Sequence, residues 1–288
     1  MKKQYSLTRR TLVKGSLFGL FAASIPNLSY GSTFLSNDKQ KEVNEGRPYG
    51  YPSIDDKIIS EVVGKSHFDL DRVKELVDKR PELSRATWDW GFGDFESAIG
   101  AASHVGRRDI VEYLLSKGAR PNIFTYAMLG AYDTVKSMIT FTPGIQRTLG
   151  PHGISLLAHA QAGLRMKSEM SEAAIASANE LINYLKSLGD ADAEQYEDLP
   201  DDEKPKYLGD YKYGEKAEEG FSVKLNMRKL LSLGKIGAFG GALYKIGPNK
   251  FFYNGAPSTE ISFQFDGEAV KSLTVKEPGS ELVAKKVS

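Results

Sequence analysis

Apolar positions recur at helical spacing over the first two thirds of this chain and switch to strict alternation in the last third. Within 97–122, the small and apolar residues Ser97, Ala98, Ile99, Ala101 and Ala102 suit a short helix packed closely on its neighbours. Gly106 breaks it, and Asp109 opens a second helix with Ile110, Val111, Leu114 and Leu115 on one face and Glu112, Tyr113, Ser116 and Lys117 elsewhere. Gly118 ends that helix, as a residue tolerant of left-handed backbone should. Two such helices cannot bury their apolar faces alone, so further units are expected on either side. The pattern supplies them: helices over 54–64 and 69–79 with an exit at Pro81-Glu82-Leu83, a shortened 124–129 with 133–140, and 154–161 with a long amphipathic helix over 173–188 after a charged insertion at 165–172. The anchors Val73-x-x-Leu76-Val77, Val135-x-x-Met138-Ile139 and Ile182-x-x-Leu185 repeat Val111-x-x-Leu114-Leu115 at uneven steps.

Period two takes over in 207–288, with alternating runs at 207–213, 221–227, 229–233, 243–246, 251–254, 260–265, 270–276 and 282–287 separated by Gly, Asn, Pro or Asp-Gly turns. Eight short strands predict a small antiparallel barrel or sandwich. The stretch 190–206, acidic, with two prolines and little apolar content, reads as a linker. The fold class is therefore α + β multidomain: a helical array of about four units over 53–189, the linker, and the β domain.

Residues 1–31 read as an address rather than structure. Lys2, Lys3, Arg9, Arg10 and Lys14 are unopposed by any acid and are followed by a short apolar run over 17–25 and small residues near 29–31. The run is short against the roughly 20 residues of a spanning helix, so stable membrane insertion is not expected. The polar, Gly/Pro-punctuated 32–52 reads as a disordered lead-in. Loss of 1–31 would remove five positive charges and turn the formal +1 of the chain into −4, which argues against nucleic acid as a partner. With no cysteine in 288 residues, disulfides, thiolate nucleophiles and an N-terminal lipid anchor on cysteine are all excluded.

Helix, Gly106, helix, then Gly118-Ala119-Arg120-Pro121-Asn122 resembles the ankyrin repeat, with 97–100 standing where that family has Thr-Pro-Leu-His and departing from it at three positions. The resemblance implies a stacked solenoid with a binding role. The steps between anchors depart from the family's ideal period of about 33 residues. Thr8-Arg9-Arg10-Thr11-Leu12-Val13-Lys14 resembles the twin-arginine signal, which passes already folded proteins across a bacterial inner membrane and implies a periplasmic location. Tyr207-Leu208-Gly209-Asp210-Tyr211, Phe263-Gln264-Phe265-Asp266-Gly267 and Ala284-Lys285-Lys286-Val287 resemble the small β domain appended to β-lactamase-like hydrolases. That implies an accessory packing or self-associating module, without catalytic residues.

Three functional readings follow. In the first, Trp88, Asp89, Trp90, Phe92, Asp94 and Glu96 form a projecting finger and, with His104, His152 and His159, recognise a protein or other periplasmic ligand, since aromatics bury large area at low entropic cost; the same aromatics could instead patch the junction between units. This reading calls for no cofactor and no metal. In the second, His104, His152 and His159 meet the carboxylates of Asp89, Asp94 or Glu96 in a metal or acid/base site. Histidines of such loops also commonly bond backbone carbonyls, and no His-x-x-x-His spacing, nucleophile elbow or phosphate-binding loop occurs. In the third, Phe221, Tyr244, Phe251, Phe252 and Phe263 hold a small ligand inside the β domain, against simple filling of its core.

Overall fold

Side-chain caps set most of the helix starts. The computed structural model describes residues 53–194, 196–226, 228–238 and 240–287; the signal-like 1–31 and the lead-in 32–52 lie outside the described residues. Asp55 accepts from the Lys57 N–H at 2.8 Å to open α1 (Asp56–Lys65), and Asp69 accepts from the Arg72 N–H at 3.1 Å to open α2 (Leu70–Lys79). Ser97 caps α3 (Ala98–His104), Asn122 caps α5 (Ile123–Met128), Ser155 caps α7 (Leu156–Ala162) and Ser171 caps α8 (Glu172–Leu188). The remaining two, α4 (Arg108–Ser116) and α6 (Tyr132–Phe141), follow Gly106 and Gly130, both at positive φ, and have no side-chain cap.

Among the described residues the eight helices pack as four pairs, α1 with α2, α3 with α4, α5 with α6 and α7 with α8. The first members of the pairs pack on one another in series, α1 on α3, α3 on α5 and α5 on α7. The anchors read from the sequence, Val73, Val111, Val135 and Ile182, are all buried. The close stacking depends on glycine: a Cβ on Gly106, at φ +73°, would collide with the Ala162 carbonyl of α7.

Between the first two pairs stands a hairpin, β1 (Thr87–Asp89) against β2 (Phe95–Ser97), with Trp88 opposite Glu96. The finger expected over 88–96 is thus present, but it is clasped rather than projecting. Asp94 and Glu96 are buried, and the Phe92 ring lies edge-on to Tyr253 of the β domain at 4.8 Å.

The last third is a closed antiparallel barrel in the order β10-β3-β4-β5-β6-β7-β8-β9. Its strands are β3 (Gly209–Lys212), β4 (Gly220–Leu225), β5 (Leu231–Lys235), β6 (Gly241–Gly247), β7 (Lys250–Tyr253), β8 (Ala256–Asp266), β9 (Ala269–Glu277) and β10 (Ser280–Lys286). Closure rests on a short seam in which Lys285 and Lys286 of β10 face Lys212 and Tyr211 of β3. The interior is filled by Tyr207, Tyr211, Phe221, Phe251, Phe263 and aliphatic side chains. Tyr244 and Phe252 leave this core and pack on the outer wall with Tyr196.

The acidic stretch 190–206 is packed down rather than free. Ser155 donates to Asp192 at 2.7 Å, the Leu157 N–H reaches the Ala191 carbonyl, and Leu199 enters the barrel core. The ammonium of Lys204, also buried, is held by Asp198 at 2.6 Å and Asp201 at 2.9 Å. Sequence composition registers the charge of this strap but not the partners that neutralise it, so a linker is its natural reading.

Gly106→Ala is expected to lower unfolding stability by about 2 kcal/mol or more, combining a positive-φ penalty with a backbone clash. Gly118→Ala carries only the φ penalty, since nothing surrounds that position; equilibrium denaturation of both variants measures the difference.

Candidate metal centre

Four segments deliver one ionisable side chain each to a single point. His67 comes from the turn after α1, Glu96 from β2, His104 from the last position of α3, and His152 from the 3-10 turn Pro151–Gly153. Their nitrogen and oxygen donor atoms all lie within 4.8 Å of one another.

Each donor is aimed by a second bond. His67 Nδ1 sits 3.0 Å from the Gly64 carbonyl, which can only accept, so the ring carries its proton there and turns Nε2 towards Glu96 Oε2 at 3.4 Å. Asp94 grips His152 twice, accepting from its backbone N–H at 2.9 Å and its Nδ1–H at 2.6 Å. That grip leaves His152 Nε2 facing Glu96 Oε1 at 3.4 Å. His152 is held at φ +59°, a left-handed conformation that a non-glycine residue adopts at some cost. Glu96 Oε2 accepts the Trp90 indole N–H at 2.7 Å, which leaves Oε1 as its free face.

Glu96 Oε1 and His104 Nε2 lie 3.0 Å apart, within ion-pair distance, and both are buried with no hydrogen-bond partner that meets good geometry. Two buried, mutually facing, unsatisfied ligand atoms are costly unless a third species lies between them. A carboxylate against a histidine whose outer nitrogen faces inward is the usual way proteins orient a metal-binding imidazole. The separations of 3.0 and 3.4 Å from Oε1 to two Nε2 atoms approach the edge of about 3.3 Å that bond lengths near 2.0–2.1 Å give a tetrahedron. Three imidazoles and one carboxylate, without thiolate, suit a divalent first-row transition ion rather than calcium or magnesium.

The electrostatics of the metal-free cluster are uneven. Burial pushes Glu96 up, but its contacts with the His104 and His152 rings outweigh this and hold it well below the usual carboxylate range. Burial disfavours the charged form of His152, yet Asp94 and Glu96 overcome it and push the ring up to about 10. Burial lowers His104, with Glu96 offsetting only part of the effect. Glu96 is thus a buried anion balanced mainly by the His152 imidazolium, whose Nε2 proton an ion would replace.

The residues singled out from sequence divide accordingly. His104, His152 and Glu96 are brought together with Asp94 behind them, and the burial of Asp94 and Glu96 removes both from any surface a docked protein could touch. His159 is fully buried but lies outside the group: Nδ1 donates to the Ser155 carbonyl at 2.8 Å, Nε2 has no partner, and the ring packs on Phe124. Asp89 is exposed and accepts from the N–H groups of Gly91 and Gly93, a turn-forming role. Trp88 packs into the core of the first two helix pairs and Phe92 against the barrel. Trp90 is partly exposed but spends its N–H on Glu96.

His67 is the member of the cluster that sequence reasoning left out. A signal for it exists: Ser66-His67, just past α1, and Ser103-His104, the last two residues of α3, both mark the C-terminal end of the first helix of a pair. Both serine hydroxyls bond back four residues, to Val62 and Ile99 at 2.7 and 2.6 Å. No protein-family model, curated protein or solved structure matches this chain.

Burial also drives His159 down to about 4. Its folded value lies below the unfolded one of about 6.5, so stability is lost as pH falls from about 6.5 through 4. His159→Phe is expected to remove this acid-side loss, gaining about 3 kcal/mol over the wild type by pH 4, as read by urea denaturation across pH.

Proposed function

We propose that this chain is a metalloenzyme in which His67, His104, His152 and Glu96 hold one divalent transition-metal ion for a hydrolytic reaction. The observation that carries this reading is the pair of buried, unpartnered, facing atoms, Glu96 Oε1 and His104 Nε2, inside a ring of pre-aimed donors. Access on one side favours chemistry over a purely structural ion. The His67 and His152 side chains keep 23 % and 22 % of their surface, whereas Glu96 keeps none, and closed structural sites lack such an approach. A bound ion would lower the pKa of a water and polarise a carbonyl or phosphoryl group. The water oxygen then bonds to that centre, the leaving group departs with the bonding electrons, and the water's proton ends on it.

The wider setting is part of the same proposal. The stacked helix pairs support an ankyrin-like solenoid, and the twin-arginine-like segment supports export to the periplasm. A protein exported in folded form could carry its ion with it. A second reading rests on the finger's outer side, where Phe95 is 64 % exposed and Trp90 37 %: a binding surface for a protein partner. Loss of a co-purifying protein in a Phe95→Ser variant with an intact metal site would favour it.

Metal-free protein titrated with zinc or cobalt(II) is expected to take up one equivalent, with a rise in melting temperature. The double variant His67→Ala/His104→Ala should lose affinity by 100-fold or more, and uptake unchanged in that variant would overturn the reading. Trp90→Phe keeps an aromatic side chain but loses the N–H to Glu96 together with the rest of the indole's five-membered ring; an affinity loss of about 10–100-fold is expected, the range for orienting partners of metal ligands. Loaded wild type, screened on carboxyl and phosphate esters, then identifies the bond that is cleaved.

A further inference from the structure

Three consecutive residues at the end of β7 touch the machinery that aims His152. The Tyr253 ring meets Phe92 of the finger at 4.8 Å. Asn254 is buried, its Oδ1 has no hydrogen-bond partner, and it lies against Gly153, where an added Cβ would come within 2.8 Å of it. Gly255 lies against the Asp94 carboxylate so closely that a Cβ there would collide with both Oδ1 and Cγ. The turn therefore abuts both halves of the Asp94–His152 pair, the carboxylate on one side and the loop carrying the imidazole on the other.

The turn is itself held firmly. The Asn254 N–H donates to the Ala242 carbonyl at 2.8 Å, and the Tyr253 hydroxyl accepts from the Gly241 N–H at 2.9 Å, tying it to β6. A carboxylate pinned by backbone on one face can present both oxygens to His152 only in one orientation, and metal sites depend on such outer partners to fix ring direction.

We propose that the barrel turn Asn254–Gly255 is a positioning element for the metal ligand His152, acting through Asp94, so that the β domain sets the geometry of a centre to which it contributes no ligand. This rests on the metal reading above.

A matched pair of glycines separates positioning from general strain. Gly255 and Gly279 both sit at φ +81°, but nothing lies within 4 Å of the Cβ position at Gly279. Gly255→Ala and Gly279→Ala therefore carry the same backbone penalty, and only the first presses on Asp94. Each protein is titrated with cobalt(II) and its visible absorption recorded, and the hydrogen-bonded His152 imidazole N–H is followed by NMR in the metal-free state. Gly255→Ala is expected to bind cobalt at least tenfold more weakly, with an altered ligand-field spectrum and a shifted or lost imidazole signal, while Gly279→Ala matches the wild type.

Equal behaviour of the two variants in both readouts overturns the proposal. Should Gly255→Ala fail to fold, Phe92→Gly takes its place: Phe92 already sits at φ +58°, so glycine keeps the turn and removes only the ring that seats the finger. Weaker cobalt binding there supports the proposal, and unchanged binding and spectrum overturn it. Were the wild type to take up no cobalt, the metal reading would fall, and the imidazole signal alone would decide whether the turn positions His152.

Discussion

A carboxylate with no exposed surface must be compensated, and three segments of the helical array converge with the finger on doing so for Glu96. Isolated burial of a charge costs several kcal/mol even after relaxation, yet Glu96 is placed on a two-stranded hairpin of three residue pairs, whose backbone ladder does not reach its side chain. Its neighbours come from elsewhere: an indole N–H from the same finger, an imidazole from each of the first two helix pairs, and a third from the turn before α7. Stacking of the helix pairs is what brings these into register. The tight approach at Gly106, which lets α7 sit against the α3–α4 turn, is thereby a condition for the site as well as for the fold.

Periodicity carried the fold and left the centre partly hidden. The apolar spacing located the eight helices of the described residues to within a few residues, and alternation located the eight strands of the barrel, because in both cases burial is decided by neighbours along the chain. Closure into a barrel rather than a sandwich depends on pairing between β3 and β10, some seventy residues apart, and no local pattern encodes it. His104, His152, Asp94 and Glu96 were nameable because histidines are few and the finger is dense in acids. Their inward orientation was not, since a residue on a hairpin reads as exposed until something is known to cover it. Here the cover is the barrel, through Phe92 on Tyr253 and Gly255 on Asp94. His67 was obscured by its ordinary surroundings, although the Ser-His repeated at the C-terminal ends of α1 and α3 marks it.

The helical array and the barrel are accordingly best viewed as one mechanical body. The strap 190–206 joins them through specific bonds to α7 at one end and burial of Leu199 and Lys204 at the other. Its acids serve to neutralise and orient, as Asp198 and Asp201 do for the Lys204 ammonium. A surface charge run would contribute little of this kind, because exposed ion pairs are worth well under about 1 kcal/mol each.

The short seam between β3 and β10 has a consequence of its own. A barrel protects its strands from pairing with other molecules only while it is shut, and here the lock is two residue pairs with the Val287 N–H donating to the Asp210 carbonyl at 2.8 Å beside them. Opening of this seam would convert a closed surface into one with two raw edges, those of β3 and β10, because β10 stays paired with β9. The pairing of β10 with β3 thus holds both edges shut, and a change at that seam would be felt by the whole barrel rather than by one strand alone.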